Sequence, residues 1–227
     1  MPRRHTDMRA RKPQQSDLNA YARIRNAALK LFADRGAAAS SIRAIAKAAG
    51  VSPGMVQHHF KTKQDLQAAI EAYAVEKVME LAQKGLTEPG EPGKLAIGSK
   101  IVEFIRAEPD VIRFGRRAVL EDDALGRRLF DQVVAASRII MQHMAEQGFL
   151  RPNIDMDWAT LNAMLLSIGP MLFETGFDRH FDKPFRSDEG LARWDVAVDD
   201  FLAHGIYSEK CPPSAPVQKK PSKTKPK

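Results

Sequence analysis

The sequence predicts an all-α fold in two parts, a small N-terminal helical bundle followed by a larger C-terminal one. Three observations predict it. Apolar residues recur at the helical period along most of the chain, strand-like alternation and internal repeats are absent, and Ser, Asp, Gly and Pro punctuate the periodic stretches. The first stripe is Ile24, Ala27, Ala28, Leu31 and Phe32, spaced i, i+3, i+4, i+7, i+8, and Gly36 supplies a left-handed stop. A second helix starts near Ser40–Ser41, either of which can cap it, and runs through Ile42, Ile45, Ala46 and Ala49 to Gly50. Ser52 caps a third helix, with Pro53 in the first turn, where its missing N–H costs nothing; that helix ends near His59 and Phe60.

A long amphipathic helix is expected from Lys63 to about Gly85, broken by the Pro/Gly-rich stretch 87–93. Five more follow at about 94–107, 109–121, 124–147, 156–177 and 189–205, bounded by Pro109, the Asp122-Asp123 cap, Gly148, Pro152, the 178–187 loop and a Pro-rich tail. Gly169-Pro170 falls inside the 156–177 helix and should kink it, because proline removes a backbone hydrogen bond and crowds the preceding turn. The expected organisation is a disordered basic arm over 1–16, a first domain over 17–65, a second over 66–209 and a disordered Lys/Pro-rich tail over 210–227.

At 227 residues, with 44% hydrophobic and 28% charged positions, the chain is long enough to bury a core. Its one cysteine, Cys211, excludes an internal disulfide and lies in the tail. The basic N-terminus lacks the apolar segment of a signal peptide. The most apolar stretch, 159–173, is interrupted by polar residues and shorter than the roughly 20 residues of a membrane span. These features predict a cytoplasmic protein with no membrane partner. The net charge of +7 is unevenly spread: Lys and Arg exceed Asp and Glu by nine over residues 1–65, acids exceed bases by eight over 66–209, and the tail adds six lysines. A basic front and an acidic body direct a polyanion to the first domain, although basic termini are also commonly just solvated.

Segment 40–60 reads S-S-I-R-A-I-A-K-A-A-G-V-S-P-G-M-V-Q-H-H-F, the pattern of a helix-turn-helix. Ile42, Ile45 and Ala46 form the inner face of a supporting helix, Ala49 is small where two helices cross, and Gly50 makes the turn. Val51 plugs the angle, while Val56 and Phe60 anchor the second helix. Ser52, Pro53, Gly54, Met55, Gln57, His58 and His59 remain for an outward face that fits a DNA major groove, with free N–H groups suited to a phosphate. A purely structural helix-turn-helix is the alternative. His58 and His59 do not suggest a metal, since adjacent helical residues diverge by about 100° and no Cys/His/Glu cluster accompanies them.

The stretches I-R-N-A-A-L-K-L-F-A-D-R-G, S-I-R-A-I-A-K-A-A-G-V-S-P-G and H-H-F-K-T-K-Q-D-L, running from Ile24 to Leu66, resemble the tetracycline-repressor (TetR) family of transcription regulators. The resemblance implies three N-terminal helices that bind DNA as two copies in a homodimer. It also implies C-terminal helices that form a ligand pocket, the last two long ones pairing across the dimer. Carried over by position, Ser41, Arg43, Lys63 and the 52–59 helix would contact double-stranded operator DNA. Arg43 and Lys63 suit phosphates, and Met55 and Gln57 lie nearest base edges, where Gln can pair with adenine. Gln57 stands where the family often has Tyr, and Met55 where it often has a small hydroxyl residue, so operator preference transfers least. The basic arm from Arg3 to Lys12 could reach a minor groove or simply be solvated.

In the C-terminal part the resemblance is one of architecture. Candidate pocket residues for a small-molecule effector are Phe104, Phe114, Met141, Met144, Leu165 and Phe173, the methionines being adaptable to varied contents. Met164 and Met171 belong to the same apolar surplus. Candidate dimer-seam residues are Trp158, Leu161, Leu165, Leu172, Leu191, Trp194, Val198 and Phe201, by family position. For any one of them, ordinary core packing is the competing role. Nothing supports an enzyme: the sequence has no nucleophile elbow, Gly-rich phosphate loop or metal-ligand spacing, and no cofactor is implied. The expected function is a repressor released from a palindromic operator by an apolar small molecule. An activator, or a broad nucleoid-type DNA-binding protein using the same motif, is the alternative.

Overall fold

A computed structural model describes residues 15–87 and 96–206. Among these residues the regular structure is helical throughout: α1 (Gln15–Arg35), α2 (Ile42–Ala49), α3 (Pro53–His59), α4 (Lys63–Thr87), α5 (Ala96–Ala107), α6 (Pro109–Glu121), α7 (Ala124–Glu146), α8 (Met156–Leu172), α9 (Glu174–Phe177) and α10 (Asp188–Gly205). The all-α expectation holds. The tail with Cys211, the arm up to residue 14 and most of the 87–93 break lie outside the described residues.

The chain divides into two compact units, Met1–Glu71 and Ala72–Lys227. The division falls inside α4, six residues beyond the expected end of the first domain. Leu66 and Ile70, on the first turns of α4, are fully buried and belong to the first unit. No change of composition marks a boundary in mid-helix.

In the first unit Ile24, Ala28, Phe32, Ile45, Ala46, Val56, Phe60, Leu66 and Ile70 are removed from water almost entirely. Burying each large side chain contributes about 1.5–3 kcal/mol, and this, rather than helix propensity, holds the short helices α2 and α3 in the unit. The two serines at the start of α2 divide their work. Ser41 is the cap, its Oγ accepting from the Ala44 N–H at 3.2 Å. Ser40, completely buried, turns back and donates to the carbonyls of Gly36 (2.9 Å) and Leu31 (3.3 Å) at the end of α1.

The second unit packs α6 on α7 and α7 on α8. At Gly126 the first turn of α7 meets the backbone of α6, so that a Cβ there would lie 2.1 Å from the Ala118 carbonyl oxygen. Two apolar clusters form its interior. One gathers Met141, Met144, Leu150, Ala159, Leu202 and Ile206; the other gathers Ile101, Ile105, Ile112, Met171, Phe185 and Leu191.

Pro170 does not end the helix where it stands. α8 continues to Leu172, breaks at Phe173 (φ −110°, ψ 23°) and resumes as the single turn α9. The expected 156–177 helix is therefore two elements. A proline at 170 cannot donate to the Leu166 carbonyl one turn back. That carbonyl instead accepts from the Trp194 indole N–H of α10 at 3.4 Å, so the lost backbone bond becomes a tertiary one. Trp194 in turn stands edge-on to Phe185, ring centres 5.6 Å apart.

Candidate nucleic-acid interface and ligand cavity

The turn between α2 and α3 is built from the backbone outward. Gly50 closes α2 in the left-handed region (φ 65°, ψ 39°), and the Val51 N–H donates to the Ala46 carbonyl at 3.0 Å. Arg23, on α1, reaches across and donates from one guanidinium nitrogen to the carbonyls of Ala49 (2.6 Å) and Gly50 (3.0 Å). A cation on the last carbonyls of a helix satisfies acceptors the helix cannot and opposes its dipole. Arg23 thus fixes the angle at which α3 leaves the turn.

Ser52 caps α3, its Oγ accepting from the Met55 N–H at 3.2 Å, with Pro53 following in the first turn. Val56 is the buried anchor, and Phe60 is buried just beyond the helix. Ser52, Pro53, Gly54, Gln57 and His58 are exposed, and Met55, 39% exposed, is the one large apolar side chain among them. His59 differs from the expectation of a fully outward position. It is half-buried, its Nε2 is enclosed without a hydrogen-bond partner among the described residues, and its ring meets Tyr21 edge-on at 6.2 Å. Tyr21 also lies 4.7 Å from Phe60, centre to centre, so His59 belongs to an aromatic group that seats the end of α3.

Ser41 and Arg43 are exposed at the start of α2. Lys63 is half-buried and donates to the Ala38 carbonyl at 3.3 Å, which ties the start of α4 to the loop before α2. Thr62 and Asp65 cap α4 reciprocally: the Thr62 N–H donates to Asp65 at 2.9 Å and the Asp65 N–H to Thr62 Oγ1 at 3.1 Å. Three exposed cations and hydroxyls absent from the sequence-based set, Lys47, Lys61 and Thr62, flank α3 on either side in sequence. The T-x-x-D pattern from Thr62 to Asp65 was the available signal for the last of them.

In the second unit a cavity of about 210 Å³ lies among residues of α4 to α8 and Leu202 of α10. Phe104, Met141 and Met144, expected at a pocket, line it, together with Met164, Met171, Ile168, Phe130 and Leu172. Phe114, Leu165 and Phe173 do not. Phe114 is buried elsewhere in the unit, while Leu165 and Phe173 face solvent. Each of the latter two sits one position past an inward residue, Met164 or Leu172, and one helical step turns a side chain by about 100°. Among the described residues at the cavity wall, Arg116 is the one that carries a charge.

The expected dimer-seam residues separate in the same way. Trp158 and Phe201 are each 63% exposed and Leu165 is also exposed. Leu161 is half-buried. Leu172 lines the cavity, Leu191 is fully buried, Trp194 packs on the second apolar cluster and Val198 on the first. These four serve the interior of the unit.

No group of His, Cys, Asp and Glu among the described residues is arranged to hold a metal, and no described helix is long and apolar enough to cross a membrane.

Residues 24–70 match the family model described as bacterial regulatory proteins, tetR family. The chain is 37% identical over 113 residues to the HTH-type transcriptional regulator AcrR of Shigella flexneri, covering 49% of this chain and 51% of that one. It is 27% identical over 140 residues to the HTH-type transcriptional regulatory protein RaaS of Mycobacterium tuberculosis, covering 62% and 64%. The aligned region thus spans between half and two thirds of these relatives. Among solved structures, a TetR transcriptional regulator from Chloroflexus aurantiacus superposes with a TM-score of 0.64 at 22% identity, over 86% of this chain and 99% of that one. The likeness of fold covers 86% of the chain, and the family model falls on residues 24–70, which include the helix-turn-helix. Residues 24–70 are thus similar to the DNA-binding segment of the tetR family of bacterial regulatory proteins, and the fold of the chain is that of a TetR transcriptional regulator.

Proposed function

We propose that this protein is a homodimeric, sequence-specific DNA-binding transcription repressor, released from a palindromic operator when an apolar small molecule fills the cavity of the second unit. The observation that carries the release is the cavity itself. Protein interiors are close-packed, so a partly open space of about 210 Å³ lined almost wholly by apolar side chains forgoes contacts that its walls would otherwise make. Such a loss is recovered when a ligand occupies the space.

DNA contact is assigned to the exposed side of α3, through Ser52, Pro53, Gly54, Met55, Gln57 and His58, supported by Ser41, Arg43 and Lys63. His59 holds the helix rather than reading it. The dimer seam is assigned to the outward residues Trp158, Leu165 and Phe173 on and just after α8, with Phe201 on α10. Large exposed apolar side chains at this density favour a covered surface. Ligand acts by population shift, favouring a conformation whose two α3 helices no longer match successive major grooves about 34–36 Å apart.

Fluorescence anisotropy with labelled DNA from the gene's own promoter tests this. Salt-sensitive binding to a few palindromic sites, one dimer per site, is expected, and uniform affinity for unrelated DNA would sink the specific-regulator assignment in favour of a coating protein. Trp158→Asp should leave a monomer by sedimentation and weaken operator binding at least tenfold.

A further inference from the structure

The cavity has an apolar body and one charged corner, and that corner carries unbalanced charge. Elsewhere in the unit several arginines have a carboxylate partner: Arg117 with Glu121 at 2.8 Å, Arg106 with Asp188 at 2.7 Å and Arg138 with Asp157 at 2.6 Å. Arg116, at the cavity wall, shares its carboxylate. Its Nη1 lies 3.5 Å from Glu174 Oε2, while Arg186 Nε holds Glu174 Oε1 at 2.6 Å. The remainder of Arg186 is poorly satisfied: Nη1 reaches the Ile105 carbonyl at 3.4 Å, and Nη2 is buried without a partner among the described residues. Two guanidinium groups therefore face one carboxylate, an excess of one positive charge. Both Glu174 and Arg186 are largely shielded from solvent.

The break in α8 makes this arrangement. Because the helix stops at Phe173, Glu174 opens α9 and turns toward Arg116 and Arg186. Of its two partners, Glu174 is gripped by Arg186 and only loosely held by Arg116. Arg116 is the cation available to something in the cavity.

We propose that the effector is a monoanionic amphiphile, its apolar chain in the cavity among Met141, Met144, Phe104 and Ile168 and its acid group on Arg116. This rests on the effector-cavity assignment above and sharpens its apolar small molecule to an acid. A neutral occupant would strip water from Arg116 and return at most one hydrogen bond to an uncharged acceptor, weaker than one to an oxyanion. A cationic head would add a third positive charge. A carboxylate or similar oxyanion accepts from the guanidinium in a charge-assisted, two-pronged bond and brings the cluster to two cations and two anions. Glu174 remains on Arg186 throughout. A cavity of about 210 Å³ has room for the alkyl body of a medium-chain acid.

The test compares octanoate, octan-1-ol and octylammonium on the full-length protein by calorimetric titration. Octanoate should bind at least about tenfold more tightly than octan-1-ol, with octylammonium weakest. Arg116→Gln should bring octanoate down to the affinity of octan-1-ol while leaving octan-1-ol unchanged, which also reports that the cavity is intact. Glu174→Gln removes the competing carboxylate and should tighten octanoate severalfold, so the proposal stays testable even if the first variant folds poorly. Octan-1-ol binding as tightly as octanoate, or an octanoate affinity indifferent to both substitutions, overturns the acid assignment and leaves the effector cavity standing. Failure of all three compounds to bind overturns both.

Discussion

The two units bury apolar side chains to different ends. In the first, aliphatic and aromatic residues such as Ile24, Phe32, Ile45, Val56 and Leu66 are fully enclosed, and the polar residues between them hold turns: Ser40, Ser41, Arg23 and Ser52 each satisfy named backbone groups. In the second, four methionines (Met141, Met144, Met164 and Met171) are buried around unfilled space. The first unit spends its packing on one rigid geometry. The second keeps a deformable wall, since methionine rearranges at low cost. A domain that presents a helix at a fixed angle and one that, under the proposed function, accepts a guest have opposite requirements, and the residue types agree with that division.

The largest expected effect breaks that comparison if it is wrong. Phe32→Ala removes a side chain only 1% exposed from the tight interior of the first unit and should cost about 3–5 kcal/mol. By calorimetry the first unit should melt far earlier, and operator binding should be lost with it. Met144→Ala, 5% exposed but already bordering the void, should cost about 2 kcal/mol, the low end for such a change, because fewer contacts exist to lose. It should leave DNA affinity near that of the unaltered protein and shift the preferred ligand to a larger one. Equal costs for the two substitutions would mean that the second unit is packed as rigidly as the first.

Gly50→Ala should come next. An alanine in the left-handed region costs about 1–2 kcal/mol, and its Cβ would stand 3.0 Å from the Arg23 guanidinium. The clash falls on the group that caps α2, so the angle of α3 should suffer along with stability. Operator affinity should therefore fall by more than the melting temperature implies. Arg23→Met separates the two contributions: it relieves the crowding but leaves the Ala49 and Gly50 carbonyls unsatisfied, and should itself lower affinity severalfold.

The same contrast governs what could be read from the sequence. Caps, turns and periodic stripes are local, so α1 to α3, the roles of Gly50, Ser52 and Pro53, and the general course of the later helices were legible. Contacts between distant positions were not. Arg23 acts 26 and 27 residues away in sequence, and Ser40 works on carbonyls of the preceding helix rather than on its own. His59 looked outward on a helical wheel, but Tyr21 closes over it from α1. In the second unit, periodicity identifies an apolar face without saying what meets it. Leu191, Trp194 and Val198 fit a dimer seam by position, yet they close the interior of their own unit, and Trp194 has a task created by Pro170 that only the fold reveals.

The smallest expected effect sharpens the functional half of the comparison. Ser41 and Ser52 make the same kind of cap with the same 3.2 Å geometry, one on the supporting helix and one on the reading helix. Either change to alanine should cost about 1 kcal/mol of stability. If α3 alone reads the operator, the two variants must still differ in DNA binding. Ser52→Ala frays the first turn of α3, including Gly54 and Met55, and should weaken operator affinity by more than its stability cost accounts for. Ser41→Ala should weaken it only as far as a lost uncharged phosphate contact allows, with unchanged salt dependence and unchanged preference among operator sequences. Identical binding losses with the same change in preference among operator sequences would assign reading to the α2–α3 pair as a whole rather than to α3.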